Sequence, residues 1–410
     1  VLTGSNASTD GTGLIVTLDG SPDLTNVATD GSHVIYLADA TAGARNFSKI
    51  TNKDPVAFTV TVANAFGASQ SGKSWAIGGK RAGIGTTASR KLGNQTGGGD
   101  ALPGWKLYYV DGSTDSISSQ WTMNRSGNTT DGHIVIGTKP GFTTRAKITQ
   151  TANARVIHIS NSSLIETRDL ELECSNATKT NAYGVGAEFG GAGSNRCINL
   201  KSNGTNKLRT LANPGSGSWI EGCEAVDCTN EGIIGSSRGV IVACVARGCT
   251  VGIQTGAATA NAMGPRVENC IAYGNTSHGI ELVSGSGQQA WAIKNNTSHG
   301  NGGAGIKIGV LAVPLAQGAL LNNNVTGNTG WGVDLDGATL IAASIAQIRN
   351  NNFGTGLLAN GSGTISTTGA GEDNQTYDPG YANAAAGDFT QSSGVTQGLG
   401  FPDFNIGNAP

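Results

Sequence analysis

Three charged residues recur at one position of a repeating unit, and together they could move a proton or hold a cation. Two residues after a recurring glycine stand Gln254, Glu281, Lys307 and Asp334. If successive units stack as neighbouring strands, Glu281, Lys307 and Asp334 form an alternating column on one outer face, roughly 5 Å apart. Neighbouring carboxylates suit the acid and base of glycoside cleavage. A lysine beside them suits abstraction of a proton from an acid sugar. Asp334 and Asp336 face the same way along a strand and suit Ca²⁺ together with loop oxygens. The same alternation is what an ordinary surface ion-pair ladder needs. That ladder is the expected role, with no catalytic residue, cofactor or metal. A second outward column, Glu221, Val242, Glu268 and Lys294, is mixed and reads as plain surface. His278 and His299 fall in turns at different offsets, with no third ligand in register, so no zinc site is expected. Lys80 and Arg81 beside glycines do not make a phosphate loop.

Such columns exist only if the chain stacks. Five segments end alike, in Cys or Asn: Trp219–Cys223, Val240–Cys244, Arg266–Cys270, Ala290–Asn296 and Ala319–Asn324. Their ends lie 21, 26, 26 and 28 residues apart, and a glycine plus an aliphatic follows each, as in Gly232-Ile233 and Gly279-Ile280. A period of this size marks stacked units that cannot bury an apolar face singly. Three columns follow. Cys223, Cys244, Cys270, Asn296, Asn324 and Asn352 make a turn column. Ile220, Ile241, Val267, Ile293 and Leu321 make an apolar one. Ala225, Ala246, Ala272, Ser298 and Thr326 make a small one. Asn tolerates left-handed turn geometry and can bond its copy in the next unit, and Cys is a small, easily buried hydrophobe.

The units Val267–Asn275 and Ile293–Asn301, each followed by Gly-Ile, resemble the right-handed parallel β-helix repeats of the pectate-lyase-like superfamily. Residues Tyr377–Phe389 resemble a closing segment common after such helices. The resemblance covers roughly residues 120–390. It implies an all-β chain: a right-handed single-stranded parallel β-helix with a small N-terminal β domain and a C-terminal capping segment. Lyases, hydrolases, adhesins and virus spikes share that fold, so it does not fix function. A lyase of this fold is expected to carry a dense cluster of acids with Arg and Lys on one sheet, and the sequence shows none.

The divisions read from composition are 1–74, 75–120, 121–356 and 357–410. Residues 1–74 hold alternating runs such as Leu14–Leu18, His33–Leu37 and Phe58–Val62, punctuated by Asp-Gly at Asp10, Asp19 and Asp30. They read as four or five strands with little core of their own. Residues 75–120 concentrate aromatics, with Trp75 and Trp105, and suit a cap over the open solenoid end. Coils run over 121–356, where His133–Gly137 and Arg155–Ile159 are taken as successive units and Lys201–Gly217 and Gly256–Pro265 as projecting loops. Residues 357–410 read as a terminal cover and an extended tail.

Over 410 residues only 13% are charged, and the net charge is −2. With no basic run, nucleic-acid binding is not expected. No apolar stretch reaches membrane-spanning length. Of seven cysteines, five from Cys197 onward fit apolar or turn columns, while Cys174 falls one place off; they are expected as buried free thiols, which favours folding in a reducing compartment such as a host cytoplasm. The layout of β anchor, cap and β-helix resembles phage spike and capsid-decoration proteins. That resemblance implies a homotrimeric structural virion protein on the virion surface. Residues 1–74 would join it to the major capsid or tail protein, and the shaft would contact a host polysaccharide. The alternatives are a polysaccharide lyase or glycoside hydrolase, in which Glu281, Lys307 and Asp334 would act, and an extracellular bacterial adhesin.

Overall fold

The computed structural model describes residues 2–25, 27–29, 33–37, 47–67, 69–78, 82–84, 106–109, 111–123, 126–127, 133–138, 140–187, 193–236, 238–255, 264–283, 291–309, 318–334, 345–353, 359–360 and 378–391. Two compact units result: Val1–Ser113 with Asn124–Ala146, and Thr114–Met123 with Lys147–Pro410.

In the first unit, six antiparallel strands close into a barrel. They are Leu2–Thr9, Ile15–Thr17, Val34–Leu37, Phe47–Asp54, Thr59–Val62 and Lys73–Gly78. Closure removes exposed sheet edges. Alternation supplies the core: in Thr59–Val62, Val60 and Val62 turn inward and the threonines outward. Val16, Ile35, Leu37, Ile50, Phe66, Trp75 and Ile77 complete one buried cluster. The domain thus has a core of its own, contrary to expectation, because Trp75 is its centre and not part of a cap. Asp10 earns its place before Gly11 by accepting from the Thr12 hydroxyl and the Leu14 and Ile15 amides. These bonds, the Thr12 one foremost, hold its carboxyl below the usual range. Within the same unit Lys106–Tyr109 lies parallel to both Ala82–Ile84 and Ile134–Thr138. Asp30, Lys80, Arg81, Trp105 and all of residues 93–104 lie outside the described residues.

The second unit is a stack of three-strand coils. One coil comprises Arg266–Glu268, Ile271–Tyr273 and Ile280–Leu282, and the next Ala292–Lys294, Thr297–His299 and Ile306–Ile308. Each strand pairs in parallel with its counterpart in the next coil, which builds a first, a second and a third sheet. Within this unit parallel strands begin at Thr114–Ile117, before the expected Trp121. The stretch 201–217 is no simple loop, since Lys201–Ser202 and Thr210–Asn213 complete a coil. Ile134–Thr138 and Ile157–Ile159 are not stacked copies, because the latter joins Trp121–Met123 in the third sheet.

Left-handed corners shape the coils, two in each coil from Trp219 to Asp334. Between first and second sheets stand Asp169, Asn199, Gly222, Ala243, Asn269, Asn295, Asn322 and Asn350, with φ from +52° to +62°. After the second sheet come Asp227, Gly248, Gly274, Gly300 and Gly327, with φ from +51° to +64°. Asn, Asp and Gly pay least for this conformation. The residue after each corner points inward. At the first corner these are Leu170, Leu200, Cys223, Cys244, Cys270, Asn296, Asn323 and Asn351. At the second they are Cys228, Cys249, Asn275, Asn301 and Asn328.

The expected turn column is therefore corrected at its end. Asn296 Nδ2 donates to Asn323 Oδ1 at 3.0 Å, and Asn323 Nδ2 to Asn351 Oδ1 at 2.9 Å. Asn324 and Asn352 stand one place later and bond each other at 3.0 Å. Ile293 likewise pairs with Leu320, not Leu321, and Ser298 with Val325, not Thr326. The cause is the triplet Asn322-Asn323-Asn324: the left-handed corner takes its first member, so the column takes the second. The remaining columns hold, with Ile220, Ile241, Val267 and Ile293 in register and fully or almost fully buried.

The recurring glycines have a steric cause. A Cβ on Gly232 would meet the Gly252 carbonyl oxygen at 2.7 Å, and one on Gly252 the Gly279 oxygen at 2.7 Å. At the C-terminal end, Tyr381–Asn383 and Asp388–Gln391 form a hairpin around the 3₁₀ turn Ala384–Ala386. Its Phe389 ring packs on Tyr273 and His299, at centroid distances of 5.1 and 5.7 Å, so it covers part of the second sheet. Residues 361–377 and 392–410 lie outside the described residues.

Candidate functional site

The outer face of the third sheet carries the column first expected to do chemistry. Gln254 pairs with Glu281, Glu281 with Lys307 and Lys307 with Asp334. Gln254 Nε2 donates to Glu281 Oε2 at 2.9 Å, and Lys307 Nζ stands 4.0 Å from Glu281 Oε1. The three charged residues are thus brought together, as neighbours held by pairing on a rigid sheet. Asp336 lies outside the described residues. Among those described, no group of three or more His, Cys, Asp and Glu side chains gathers as metal ligands would.

The thiols are buried and free. Cys244 Sγ approaches the Ile220 and Val242 carbonyl oxygens at 3.7 and 3.3 Å. Burial pushes the Cys197, Cys223 and Cys244 thiols well up. Cys228 is pushed up first by its bond to Cys249 and then by burial. Such groups stay protonated and are poor nucleophiles. His299 is not a turn residue. It ends the strand Thr297–His299, sits under Tyr381 and Phe389, and contacts the Thr326 hydroxyl at 3.0 Å. Burial lowers its pKa. His278 does lie in a turn, where its Nδ1 accepts from the Ala304 amide at 3.1 Å.

A phosphate-loop spacing does occur in the chain, at Gly67-Ala-Ser-Gln-Ser-Gly72-Lys73-Ser74. The structure gives it another role. Lys73 and Ser74 begin the barrel strand Lys73–Gly78, and no helix follows to present amides to a phosphate.

The first sheet holds the cluster that the sequence did not reveal. Glu166 pairs with Arg196, Arg196 with Trp219, Trp219 with Val240 and Val240 with Arg266. One column over, Arg168, Ile198, Glu221, Val242, Glu268 and Lys294 follow in register. Arg168 bridges two buried carboxylates, with Nη1 3.2 Å from Glu166 Oε1 and Nε 2.7 Å from Asp169 Oδ2. The bond to Asp169 is the main reason its pKa is raised. Asn199 donates to the other Asp169 oxygen at 2.7 Å. Arg196 stands 3.9 Å from Glu166, and Arg266 makes two bonds to Glu268 at 3.0 and 2.7 Å. Trp219 is 40% exposed, and its indole N–H donates to Glu221 at 2.8 Å. Acids, arginines and a lysine on one sheet are thus present after all. They escaped notice because Glu166, Arg196 and Trp219 are 30 and 23 residues apart and meet only through strand pairing.

Comparison with known proteins agrees with this architecture. A family model described as a right handed beta helix region matches residues 155–353. The shaft is a right-handed parallel β-helix. Similar solved structures include the periplasmic alginate epimerase AlgG, 12% identical over 73% of this chain and 75% of that one, with a TM-score of 0.38. The catalytic domain of GH87 α-1,3-glucanase is 12% identical over 92% and 86%, with a TM-score of 0.37. The enzymatically active domain of bacteriophage CBA120 tailspike protein 2 is 13% identical over 83% of this chain and 50% of that one, with a TM-score of 0.35. At these levels the likeness concerns the fold alone. No curated protein sequence matches the chain significantly.

Proposed function

We propose that the protein is an attachment protein whose β-helix recognises an extended glycan along the outer face of its first sheet. The observation that carries this reading is Trp219. A large aromatic left 40% exposed in the middle of a charged sheet is an uncommon use of tryptophan. Its face offers the apolar platform on which a sugar ring stacks, while Arg196, Glu221 and Arg266 supply hydrogen-bonding groups to hydroxyls. The buried pair Glu166 and Asp169, locked by Arg168, keeps that face in one geometry.

Within the same proposal the chain is a homotrimeric structural protein on a phage particle, with the barrel as its mount on the major capsid or tail protein. The barrel's separate core supports an independent mounting role. Deleting residues through Gly78, which removes the whole barrel, is expected to abolish particle binding and leave the shaft folded. Truncated protein that still coats particles would overturn the mount, and a monomer by light scattering would overturn the trimer.

The direct test of the glycan reading is Trp219→Ala on a polysaccharide array. Loss of about tenfold or more in affinity is expected, with an unchanged unfolding midpoint. Equal binding by the variant would sink it. An enzymatic reading is favoured by one observation, that two carboxylates are buried on this same face. New reducing ends or unsaturated products from a bound polysaccharide, abolished by Glu166→Gln, would establish it over simple attachment.

A further inference from the structure

A basic recess lies where the second sheet turns into the third. It uses other residues than the Trp219 face, so either can fail without the other. Four successive coils bring Arg155, Lys179, Arg209 and Asn230 to this corner. A recess of about 520 Å³ is lined there by Ala177, Lys179, Thr180, Arg209, Thr229 and Asn230. The Arg155 and Arg209 guanidinium groups sit over the Tyr183 ring, 5.8 and 5.3 Å from its centroid.

The turns are pinned to each other. Asn153 Nδ2 donates to the Thr180 hydroxyl at 2.8 Å, and Asn153 Oδ1 accepts from the Asn181 amide at 2.9 Å. Arg209 Nη1 donates to the Thr180 carbonyl at 2.7 Å, and Lys179 Nζ to the Cys174 carbonyl at 2.5 Å. An Arg has five donors and a Lys three, so both keep donors for a ligand.

This corner gathers like charges. Several other shaft cations face acids: Lys147, Arg168, Arg196, Lys201, Arg266 and Lys307 each lie within 4.0 Å of a carboxylate oxygen. Among the described residues no carboxylate pairs with Arg155, Lys179 or Arg209. Glu231, next to Asn230, is engaged by the Thr210 hydroxyl at 3.4 Å. Three cations without a carboxylate ion pair among the described residues therefore gather in a chain whose net charge is −2.

We propose that this recess binds a phosphate or sulfate ester carried on a sugar or another polyol. A phosphate ester brings about −1.5 to −2 charges at neutral pH, nearer the local excess than one carboxylate. The arginine fork matches such an oxyanion, and Thr229 and Asn230 add neutral groups.

The experiment is calorimetric titration of the full chain, at low salt, with glucose 6-phosphate, glucose 6-sulfate, glucuronate, glucose and inorganic phosphate. The esters are expected to bind, and their relative affinity identifies which one the site prefers. Arg209→Gln should weaken ester binding about tenfold or more, and Lys179→Gln should also weaken it. Lys307→Gln, on another face, should leave it unchanged. Unfolding midpoints equal to that of the parent show that the variants fold. No ester binding, or variants that bind as the parent does, would overturn the proposal. So would glucuronate or inorganic phosphate binding as tightly as the esters.

Discussion

The two halves of the corner columns solve one geometric problem with different chemistry. From Cys223 to Cys270, and at Cys228 and Cys249, the inward corner residue is a thiol. From Asn275 and Asn296 onward it is an amide. The amide half satisfies every group. Asn323 Oδ1 accepts from both the backbone and the side chain of Asn296, at 3.1 and 3.0 Å, and Asn323 Nδ2 also reaches the Ile293 carbonyl at 2.9 Å. The thiol half places a weak donor near the equivalent carbonyls, at 3.2 to 3.7 Å for Cys270. An amide ladder gains directional bonds but must be complete, while a thiol column relies on apolar burial and tolerates gaps.

The strongest break of this contrast is Asn323→Ala. It removes the acceptor of the buried Asn296 amide and of one of the two Asn296 side-chain bonds, and the Asn323 donor to the Ile293 carbonyl. A loss of roughly 3 kcal/mol or more is expected, read as a lower denaturation midpoint. Cys244→Ala should cost only about 1–2 kcal/mol, because it removes mostly buried sulfur.

The reciprocal swap sharpens the point. Asn296→Cys removes the acceptor of the Cys270 amide, now bonded at 2.9 Å, and should cost about 1–3 kcal/mol. Cys270→Asn only extends the ladder by one rung toward the Ile241 carbonyl and should lie within about 1 kcal/mol of the parent. Equal losses for both swaps would show that the chemistry of the column is irrelevant.

These columns also show what could be read from the sequence. Periodicity gave the architecture, because Ile220, Ile241 and Val267 must share one buried line. Register failed at Asn322-Asn323-Asn324, where three identical residues hide which one takes the left-handed corner. The answer was present five residues on. Cys223 and Cys228, Cys270 and Cys or Asn at the second corner, and Asn296 and Asn301 share that spacing, so Gly327-Asn328 demands Asn323. The first-sheet cluster was less legible. It joins residues from coils of unequal length upstream of Trp219, and only pairing brings Glu166 under Arg196. The barrel's extent was missed because Trp75 resembles the aromatics that follow it in sequence more than the strands that precede it.

Alkaline pH separates the halves without mutation. The Cys223 and Cys244 thiols have folded pKa values well above 9.0, so the unfolded chain loses these protons first. The folded state then binds more protons than the unfolded one. Stability contributed by the thiol half is complete below about pH 9 and falls as pH rises beyond it. Hydrogen exchange, corrected for intrinsic rates, should show protection falling from pH 8 to pH 10 at Ile241 and Val245 before Ile293 and Val325. His299 works in the opposite sense. Its pKa is lowered by burial under the hairpin, so docking of Tyr381 and Phe389 weakens as pH falls below about 6.5.

The smallest effect belongs to the column that first suggested chemistry. Lys307 and Glu281 stand 4.0 Å apart on side chains 22% and 18% exposed, which is a loose pair near water. Lys307→Met keeps the aliphatic stem over the sheet and removes only the charge, so the change should stay within about 1 kcal/mol. High salt should shrink even that difference. An Asn rung and this ion pair occupy the same stack of coils at similar spacing, yet differ severalfold in expected worth. The Asn groups are buried and have no water to fall back on, whereas Lys307 and Glu281 keep theirs. A loss above 2 kcal/mol for Lys307→Met would mean that the outer face is as demanding as the interior, and the division between ladder and surface would fail.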